Sequence, residues 1–401
     1  MKIRFLGGAS EVGRLGMLMD NKFLFDYGFT PSKPPTYPLM ASNAEVVFLS
    51  HCHVDHSGMI PLVCRKYDPK VLATSPTAML TELLATDSLK VCKYEGYPAP
   101  YRKSDIRTAM KNFEIIRYND SVIVNGLRFR FHSAGHIPGS TMFEFNNSLF
   151  TSDLNTIDTQ LVAGAKPVKC KNLFIEGTYS GREHPPREEV EKKFLEKIDE
   201  VVERGGKAVV PVFAVGRTQE ILMLLRNSGY EVWLDGMGKT VSRIFLENPD
   251  YLRSPKGLRK AMNRAKVVHS ELGRKYALRG DVIVATSGMM DGGPILGYVK
   301  YLKDNKNNAI LLTGYQVEGS NGRMLLDKKK LSFSGVIQPI NCEVDHFDFS
   351  AHCGHKELVD FVHGCEPENV ILYHSDDRKP LKASLSEYNV YTPENDEVIE
   401  I

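Results

Sequence analysis

The stretch Ser50-His51-Cys52-His53-Val54-Asp55-His56-Ser57-Gly58 decides how the rest of the chain is interpreted, because it places four metal-binding side chains within six residues. It follows the apolar run Val46-Val47-Phe48-Leu49, which predicts a buried strand. It precedes Met59-Ile60-Pro61-Leu62-Val63, which predicts the start of a helix. The metal-binding side chains are therefore expected on a strand-to-helix loop.

The spacing of these side chains predicts two metals. Residues two apart on an extended backbone point the same way, so His51 and His53 can reach one metal. Asp55 and His56, further round the turn, can reach a second. Imidazole suits zinc, and mixed nitrogen and carboxylate donors suit zinc or manganese. The alternative, a polar loop with hydrogen-bonded histidines, accounts for one histidine but not for all four residues.

Further ligands are expected where later strands end. His136 lies between glycines, where the backbone can turn tightly and aim the ring. Asp153 ends the second strand of a predicted hairpin and could bridge two metals with its two oxygens. Asp26 ends the predicted strand 22–26, where it would orient a ligand histidine from behind; a turn or helix-capping carboxylate is the alternative. His132 is interpreted as an ordinary strand residue rather than a ligand.

The order and placement of these residues resemble those of the metallo-β-lactamase superfamily: His51-x-His53-x-Asp55-His56, then His136, then Asp153, preceded by Asp26. That superfamily includes thiol-ester hydrolases, lactamases, oxidoreductases and nucleases. The first 155 or so residues therefore leave the substrate open.

Three later stretches resemble the motifs of the β-CASP branch, whose members act on nucleic acids. Glu176 ends an apolar strand, His352 lies before a helix-like stretch, and His374 ends a further strand. The resemblance, which covers essentially the whole chain, implies that His374 completes the second metal site. It also implies that His352 acts on the scissile phosphate and the leaving group, while Glu176 supports His352.

One departure from the family concerns the residues after the last histidine. The family often has Gly-Glu there, whereas this chain has Ser375-Asp376-Asp377. We expect His374 to remain a ligand, with Asp376 as the acidic residue behind it. A histidine at the position of His374 goes with RNA substrates in this branch, whereas DNA-repair members carry valine, so the resemblance favours RNA.

The expected fold class is α/β, a metallo-β-lactamase αββα sandwich with an inserted parallel-sheet β-CASP domain. Residues 1–178 and 348–401 would form the first domain, and residues 179–347 the insertion, with the active site in the cleft between them. Within the insertion, a predicted helix over 188–204 is followed by strands at 208–212, 231–234, 281–285 and 309–312 that alternate with helical patterns.

Two strand ends of the insertion carry small residues, Ser287-Gly288 and Thr313-Gly314. Exposed backbone N–H groups at such positions could hold a substrate phosphate. Simple turn chemistry explains the same residues equally well, and both interpretations stay open.

The expected chemistry follows from the ligand set. Two Zn²⁺ ions, or Mn²⁺ in their place, roughly 3.5–4 Å apart activate a water and stabilise the oxygens around a phosphate. His51, His53 and His136 would hold one, Asp55, His56 and His374 the other, and Asp153 both. Asp55 is expected to take part in catalysis as well as in metal binding. His352 would protonate the leaving 3′-oxygen or hold the phosphate, and Glu176 would keep its ring oriented, so that the product carries a 5′-phosphate.

Composition sets limits on location and partners. Net charge is only +2, which is modest for a protein that holds nucleic acid over a long track. The seven cysteines form no CxxC pair, no run reaches transmembrane length, and the chain starts with a predicted strand. We therefore expect a cytoplasmic protein without a signal peptide, with reduced thiols and no membrane partner. The basic runs are weak signals: Lys328-Lys329-Lys330 is interpreted as a solvated loop.

The predicted function is a zinc-dependent ribonuclease acting on single-stranded RNA in RNA processing or decay. The chain resembles bacterial RNase J and the archaeal homologues of the nuclease subunit of the eukaryotic pre-mRNA 3′-end cleavage complex. Three alternatives are a non-catalytic scaffold, a small-molecule hydrolase and a DNA nuclease. The sequence does not decide whether the enzyme is an endonuclease or a 5′-to-3′ exonuclease. It also leaves open whether the protein forms a homodimer or belongs to an RNA-processing complex.

Overall fold

A computed structural model describes all 401 residues of the chain. The chain forms two compact units. The first contains Met1–Asp158, Ala163–Glu183 and Ala351–Ile401, and the second contains Thr159–Val162 and His184–Ser350. The domain ranges predicted from the sequence, 1–178 with 348–401 and 179–347, stay a prediction; they do not place Thr159–Val162 with the second unit.

The elements of the first unit come from two separate parts of the chain. Its amino-terminal part contains β1 (Lys2–Gly7), β2 (Gly16–Met19), β3 (Phe23–Phe25), β4 (Val46–Phe48), α1 (Val54–Ser57), α2 (Ile60–Tyr67), β5 (Lys70–Thr74), α3 (Ser75–Glu95), α4 (Lys103–Lys111), β6 (Phe113–Ile116), β7 (Ser121–Val124), β8 (Leu127–Ser133), β9 (Thr141–Phe145), β10 (Ser148–Phe150) and β11 (Asn172–Glu176).

The second unit supplies α5 (Arg187–Glu203), β12 (Ala208–Pro211), α6 (Arg217–Leu225), β13 (Val232–Asp235), α7 (Gly238–Glu247), a 3₁₀ turn (Pro249–Tyr251), α8 (Pro255–Arg264), β14 (Lys266–Val267), α9 (Glu271–Ala277), β15 (Val282–Ala285), α10 (Pro294–Leu302), β16 (Ala309–Leu312), α11 (Asn321–Lys328), β17 (Lys330–Phe333), β18 (Val336–Pro339) and β19 (Glu343–His346). The chain then returns to the first unit with α12 (His355–Cys365), β20 (Asn369–Tyr373), α13 (Lys379–Ser384), β21 (Asn389–Tyr391) and β22 (Val398–Glu400).

The first unit is built on two seven-stranded sheets, in the orders β22-β1-β2-β3-β4-β5-β6 and β21-β20-β11-β10-β9-β8-β7. Each sheet has a parallel and an antiparallel part: β3 to β6 run parallel in the first, and β10, β11, β20 and β21 in the second. The carboxyl ends of parallel strands meet at one edge of a sheet, which is where functional side chains are normally found.

Phenylalanine side chains fill the space between the two sheets. Strand β8 shows why: Phe129 and Phe131 are buried, while Arg128 and Arg130, pointing to the opposite face, are exposed. From the facing sheet, the ring of Phe25 lies 5.0 Å from that of Phe145. Burying each such ring contributes about 1.5–3 kcal/mol, so this layer holds the two sheets together.

Helices cover the outer faces of both sheets. Ile60 and Val63 of α2 belong to a buried cluster with Val47 of the first sheet. Leu358 and Val362 of α12 belong to one with strands of the second sheet. The predicted αββα sandwich is therefore confirmed.

The second unit contains a six-stranded sheet, β14-β13-β15-β12-β16-β19, in which every neighbouring pair is parallel. Its helix α5 buries Val190, Phe194, Ile198 and Val201, the four residues whose helical spacing predicted it. A two-stranded hairpin, β17-β18, completes the unit. The predicted parallel α/β architecture is confirmed.

Candidate active site

The strand ends of the first unit bring the predicted site residues together. Asp26 follows β3 and His51 follows β4, which run parallel. Asp153, Glu176 and His374 lie at or just after the ends of β10, β11 and β20, which are also mutually parallel. Of the remaining site residues, His136 lies in the loop between β8 and β9, and His352 lies just before α12.

The segment after β4 differs from the predicted loop in one respect. Asp55 and His56 lie within α1, a single helical turn, and only His51 and His53 are on extended backbone. The turn is stabilised from outside, because the N–H of Tyr27 donates to the carbonyl of His56 at 2.6 Å and the N–H of Leu15 to that of Asp55 at 2.8 Å. The His56 ring lies 4.1 Å from that of His51 and 5.0 Å from that of His374.

Four ligand atoms form a first group. Nε2 of His51 and Nε2 of His136 lie 3.0 and 3.1 Å from Nδ1 of His53. Oδ2 of Asp153 lies 3.4 Å from His51 Nε2 and 3.6 Å from His136 Nε2. Three nitrogens and one carboxylate oxygen thus lie close enough together to hold one metal ion.

A second group lies on the other side of Asp153. Its Oδ1 is 3.2 Å from His56 Nε2 and 3.4 Å from His374 Nδ1. Oδ2 of Asp55 is 3.7 Å from His56 Nε2 and 3.6 Å from His374 Nε2. Each oxygen of Asp153 therefore faces a different group of donors, as required of a bridging ligand.

The unsatisfied polar atoms of the site fit a bound cation. His56 Nε2 and Asp153 Oδ1 are buried, and although they lie 3.2 Å apart, neither forms a hydrogen bond of acceptable geometry. Such orphaned atoms are rare in folded proteins because each costs the full desolvation of a polar group. Both atoms belong to the second group, so one divalent metal there would satisfy them, and the residues present fit a cation at that position.

The second nitrogen of three ligand rings is held by a defined partner. Nδ1 of His56 donates to Asp26 at 2.9 Å, and Nδ1 of His136 donates to the carbonyl of Ala351 at 2.8 Å. Nδ1 of His51 lies 3.1 Å from the Ser50 hydroxyl, which itself donates to Asp26 at 2.7 Å. A proton on each Nδ1 leaves the lone pair of Nε2 directed into the site.

Asp26 is the centre of a buried network. Besides His56, its carboxylate accepts hydrogen bonds from the Ser50 N–H at 2.7 Å and from the hydroxyls of Ser50 and Ser152. The backbones of Asp26, Ser152 and His374 are all left-handed, with φ of 54°, 55° and 50°. Non-glycine residues rarely adopt this conformation, and it is commonest where a functional group must be aimed.

Electrostatics favour the neutral, metal-binding form in part of the site. Burial and the neighbouring His51 lower the pKa of His53 to about 3, and burial with the nearby His352 lowers that of His136. Burial opposes protonation of His56, but the charges of Asp153 and Asp55 outweigh it and raise its pKa. Positive charge is thus favoured between the two carboxylates, where a cation would replace the proton.

His352 and Glu176 form a pair beside the first group. Nδ1 of His352 lies 2.8 Å from Glu176 Oε1, and Nε2 lies 3.7 Å from Asp153 Oδ2. Glu176 is fully buried and also accepts the N–H groups of Leu154 and Thr178, each at 2.9 Å. Burial opposes protonation of His352, but Glu176 and Asp153 outweigh it and raise the pKa of the imidazole to about 9.

Asp376 does not contact His374 directly. Its carboxylate accepts the N–H of Val12 at 3.1 Å, and the N–H of the next residue, Gly13, lies 3.0 Å from His374 Nε2. The acidic residue after the histidine therefore acts on the loop that holds the ring.

The predicted phosphate-binding residues lie in the second unit, at the ends of β15 and β16. The Ser287 and Thr313 hydroxyls contact the carbonyls of Gly292 and Pro211, at 3.4 and 3.0 Å. A Cβ at Gly288 would lie 3.0 Å from the backbone nitrogen of Phe213, and one at Gly314 would lie 2.8 Å from the Phe213 ring. Local packing against Phe213 accounts for both glycines, and phosphate binding stays a prediction.

Four groups of the site have no signal in the sequence. Ser50 and Ser152 are common residue types at no diagnostic spacing, although Ser50 directly precedes His51. The Ala351 carbonyl and the Gly13 N–H are backbone groups, which any residue could supply. Only the tertiary structure shows that they contact ligand histidines.

Replacing Ser50 with alanine should weaken zinc binding about 10–100-fold, because the hydroxyl joins Asp26 to His51. The measurement is zinc competition against a chromophoric chelator. Ser57→Ala is the matched control, since Ser57 is also buried but donates to the carbonyl of Cys52. Equal zinc affinity of Ser50→Ala and wild type would show that the hydroxyl does not position His51.

Three family descriptions match successive parts of the chain. "Metallo-beta-lactamase superfamily domain" matches residues 19–156, "Beta-Casp domain" residues 218–325, and "Zn-dependent metallo-hydrolase RNA specificity domain" residues 337–393. The first contains His51 to Asp153, and the last contains His352 and His374.

Full-length similarity to curated proteins decides the family. The "Probable RNase MJ4" of Methanocaldococcus jannaschii is 38% identical over 94% of this chain and 94% of its own length. The chain belongs to the β-CASP ribonuclease family of the metallo-β-lactamase superfamily. The "RNase aCSPSF2" of Saccharolobus solfataricus is 35% identical to this β-CASP ribonuclease over 100% of the chain and 85% of its own length. The "Transcription termination factor FttA" of M. jannaschii is 32% identical over 100% of the chain and 72% of its own length.

These findings confirm several predictions. This β-CASP protein is a metal-dependent ribonuclease, and RNA is its substrate class. Its metallo-hydrolase family and its clustered histidines and aspartates indicate divalent-metal binding. As a separate observation that tests none of these predictions, no helix of the structure combines the length and the apolar character needed to cross a bilayer.

Proposed function

We propose that this β-CASP ribonuclease is a two-zinc enzyme that hydrolyses phosphodiester bonds of single-stranded RNA and leaves 5′-phosphate products. The observation that carries the proposal is the division of Asp153 between two groups of donors with the His352–Glu176 pair alongside. Nitrogen-rich donors favour zinc over magnesium or calcium. The description "Zn-dependent metallo-hydrolase RNA specificity domain", which spans His352 and His374, supports the same metal.

In this proposal His51, His53 and His136 would hold one metal, Asp55, His56 and His374 would hold the other, and Asp153 would serve both. When bound, the pair of metals supplies a water nucleophile at neutral pH and neutralises charge on the scissile phosphate. The chain's own residues then fix geometry. Asp26 keeps the His56 ring oriented through its Nδ1, and the Ala351 carbonyl does the same for His136.

Proton transfer to the leaving group is assigned to His352. Its Nδ1 is held by Glu176, so Nε2 carries the mobile proton and faces the metal-binding edge of the site. The raised pKa of His352 keeps Nε2 protonated at neutral pH. Transfer of this proton to the 3′-oxygen leaves the phosphate on the downstream fragment, which accounts for a 5′-phosphate product.

Incubation with single-stranded RNA carrying a 5′-monophosphate, labelled in parallel at each end, tests the activity. Purified protein loaded with zinc or manganese should cleave it to 5′-phosphate products, and a fully paired duplex of the same sequence should be cleaved more slowly. Early mononucleotide from the 5′ end indicates exonuclease action, and discrete internal fragments indicate endonuclease action. Absence of product at full metal occupancy, or equal cleavage of the duplex, would contradict the proposal or its preference for single strands.

A further inference from the structure

Positive charge is concentrated in one segment of the second unit. Residues 251–270 contain six lysines and arginines and no aspartate or glutamate, although the chain as a whole carries a net charge of only +2. The six are all exposed: Arg253, Lys256, Arg259, Lys260, Arg264 and Lys266. Half of this segment is helix α8 (Pro255–Arg264).

Helix α8 separates its charges from its apolar residues. Lys256, Arg259, Lys260 and Arg264 follow the spacing i, i+3, i+4, i+8, so at 100° per residue they fall within an arc of about 140°. We call these four residues the α8 basic face. The buried residues Leu258 and Ala261 lie on the opposite side. The Ser254 hydroxyl accepts the N–H of Gly257 and caps the helix, so the face is displayed on an ordered element.

The cations of the α8 basic face lack the acidic partners that cations on α5 and α11 have. On α5, Lys192 and Lys193 each have a glutamate within 4 Å one turn away, and on α11 Arg323 pairs with Asp327 at 2.9 Å. On α8, the Lys260 ammonium donates to the neutral amide of Asn227. Lys256, Arg259 and Arg264 form no ion pair. Like charges one turn apart repel, and a bound polyanion removes that repulsion.

We propose that the α8 basic face is a docking surface for the phosphates of the RNA substrate, at nucleotides outside the bond that is cleaved. The proposal rests on RNA being cleaved at the metal centre. The face is about 12 Å long between Lys256 and Arg264, at 1.5 Å per residue, which is enough for successive phosphates of one strand. Arginine and lysine are the residues that bind phosphate, arginine through two parallel N–H groups.

An RNA partner fits the α8 basic face better than a membrane. A helix that lies on a bilayer exposes large apolar side chains beside its charges, whereas Leu258 of α8 is fully buried. Phosphate contacts of this kind are independent of base sequence and depend strongly on salt. The α8 basic face would therefore raise affinity for long RNA without changing which bond is cut.

The test removes three charges from the α8 basic face. The variant is Lys256→Gln/Arg259→Gln/Arg264→Gln; Lys260 is kept because its ammonium contacts Asn227. The control, Lys192→Gln/Lys193→Gln/Arg323→Gln, removes the same charge from helices of the same unit where each cation has an acidic partner. Binding of a long unstructured RNA is measured against salt, and cleavage is measured on that RNA and on a trinucleotide.

A plot of log binding constant against log salt concentration should have a slope smaller in magnitude by about two for the α8 variant than for wild type. Each of the three lost phosphate contacts on a single strand contributes about 0.7 to that slope. The KM of the α8 variant for long RNA should rise about tenfold or more, with kcat and trinucleotide cleavage unchanged. The charge-preserving variant Lys256→Arg/Arg259→Lys/Arg264→Lys should restore both slope and KM. This rescue, with unchanged thermal unfolding, separates loss of charge from loss of fold.

Equal salt slopes for the α8 variant and wild type would overturn the proposal. The α8 basic face would then be an ordinary solvent-exposed helix surface. The same conclusion follows if the variant loses binding to anionic vesicles but binds RNA as before, or if the control variant loses as much RNA affinity. Failure of the proposed nuclease function is a separate result. It would appear as wild-type protein that cleaves neither the trinucleotide nor the long RNA, whatever the salt slopes are.

Discussion

Asp153→Asn should empty most of the metal centre and reduce ribonuclease activity about 10³-fold or more, an effect of several kcal/mol as expected for loss of metal-ion catalysis. The two oxygens of Asp153 lie within 3.2–3.6 Å of four histidines: His51, His136, His56 and His374. Asparagine has the same shape but no charge, and only one of its two polar atoms can ligate a metal. One metal would therefore lose a ligand, and both would lose the neutralising charge.

The measurement is metal content per chain after dialysis, together with thermal unfolding with and without zinc. Wild-type protein should retain two metals and be stabilised by them, because a ligand that binds only the folded state raises stability. Asp153→Asn should retain at most one and gain little stability from added zinc. Glu144→Gln is the matched control, because Glu144 also contacts a histidine, His132, at 2.8 Å, but on a strand face away from the ligand atoms. If Asp153→Asn retained two metals and turned over RNA normally, Asp153 would not be a bridging ligand.

The core of this architecture could be predicted because short-range patterns determine it. Alternation in β8 and helical spacing in α5 each reflect burial of one face, and the structure buries the residues that the patterns mark. The ligand residues were recognisable for a similar reason. His51, His53, Asp55 and His56 are all within one short segment, so their spacing alone limits where they can point.

The remaining features depend on contacts between distant parts of the chain. The segment Thr159–Val162 belongs to the second unit because the N–H of Leu161 donates to Glu220, 59 residues away, and its carbonyl accepts the N–H of Arg253. The turn α1 is fixed by backbone groups of Tyr27 and Leu15. No local pattern of side chains encodes such pairings, because the backbone groups that form them are the same in every residue.

The Ser50–Asp26–Ser152 network shows the same limit inside the site. Asp26 was recognisable as a carboxylate at a strand end, and the structure places it against His56. The two serines carry no comparable signal: Ser57, which is also buried and directly follows His56, only donates to the backbone carbonyl of Cys52. Whether a serine supports a ligand depends on how β3, β4 and β10 come together in the fold. Sequence patterns predict each of these strands but not their arrangement.

His352→Ala should reduce turnover about 10²–10⁴-fold while both metals remain bound, because the variant loses a general acid and not a ligand of either donor group. Buried Glu176 holds the His352 imidazole through Nδ1. The His352 side chain is 19% exposed, so its Nε2 can reach a substrate, whereas Glu176 cannot. Alanine removes the proton donor and leaves the His51 and His56 groups untouched.

A substrate whose leaving group needs no proton separates acid catalysis from phosphate binding. Bis(p-nitrophenyl) phosphate releases a stable phenolate, so His352→Ala should cleave it far better, relative to wild type, than it cleaves RNA. Wild-type turnover on RNA should fall as the pH rises through the pKa of His352, since only the imidazolium form donates; this alkaline limb should be absent in the variant. Glu176→Gln should show a smaller loss, because the amide keeps the ring in place but no longer favours its protonated form.

His132→Ala provides the matched control, because His132 also pairs with a glutamate at 2.8 Å and is 24% exposed, but lies on β8 away from the ligand atoms. It should keep normal turnover on both substrates. Unchanged RNA turnover in His352→Ala would remove His352 from the mechanism. An equal loss on RNA and on the activated substrate would assign it to phosphate binding instead. Loss of a metal in the variant would make it a ligand, in agreement with the 3.7 Å between its Nε2 and Asp153 Oδ2.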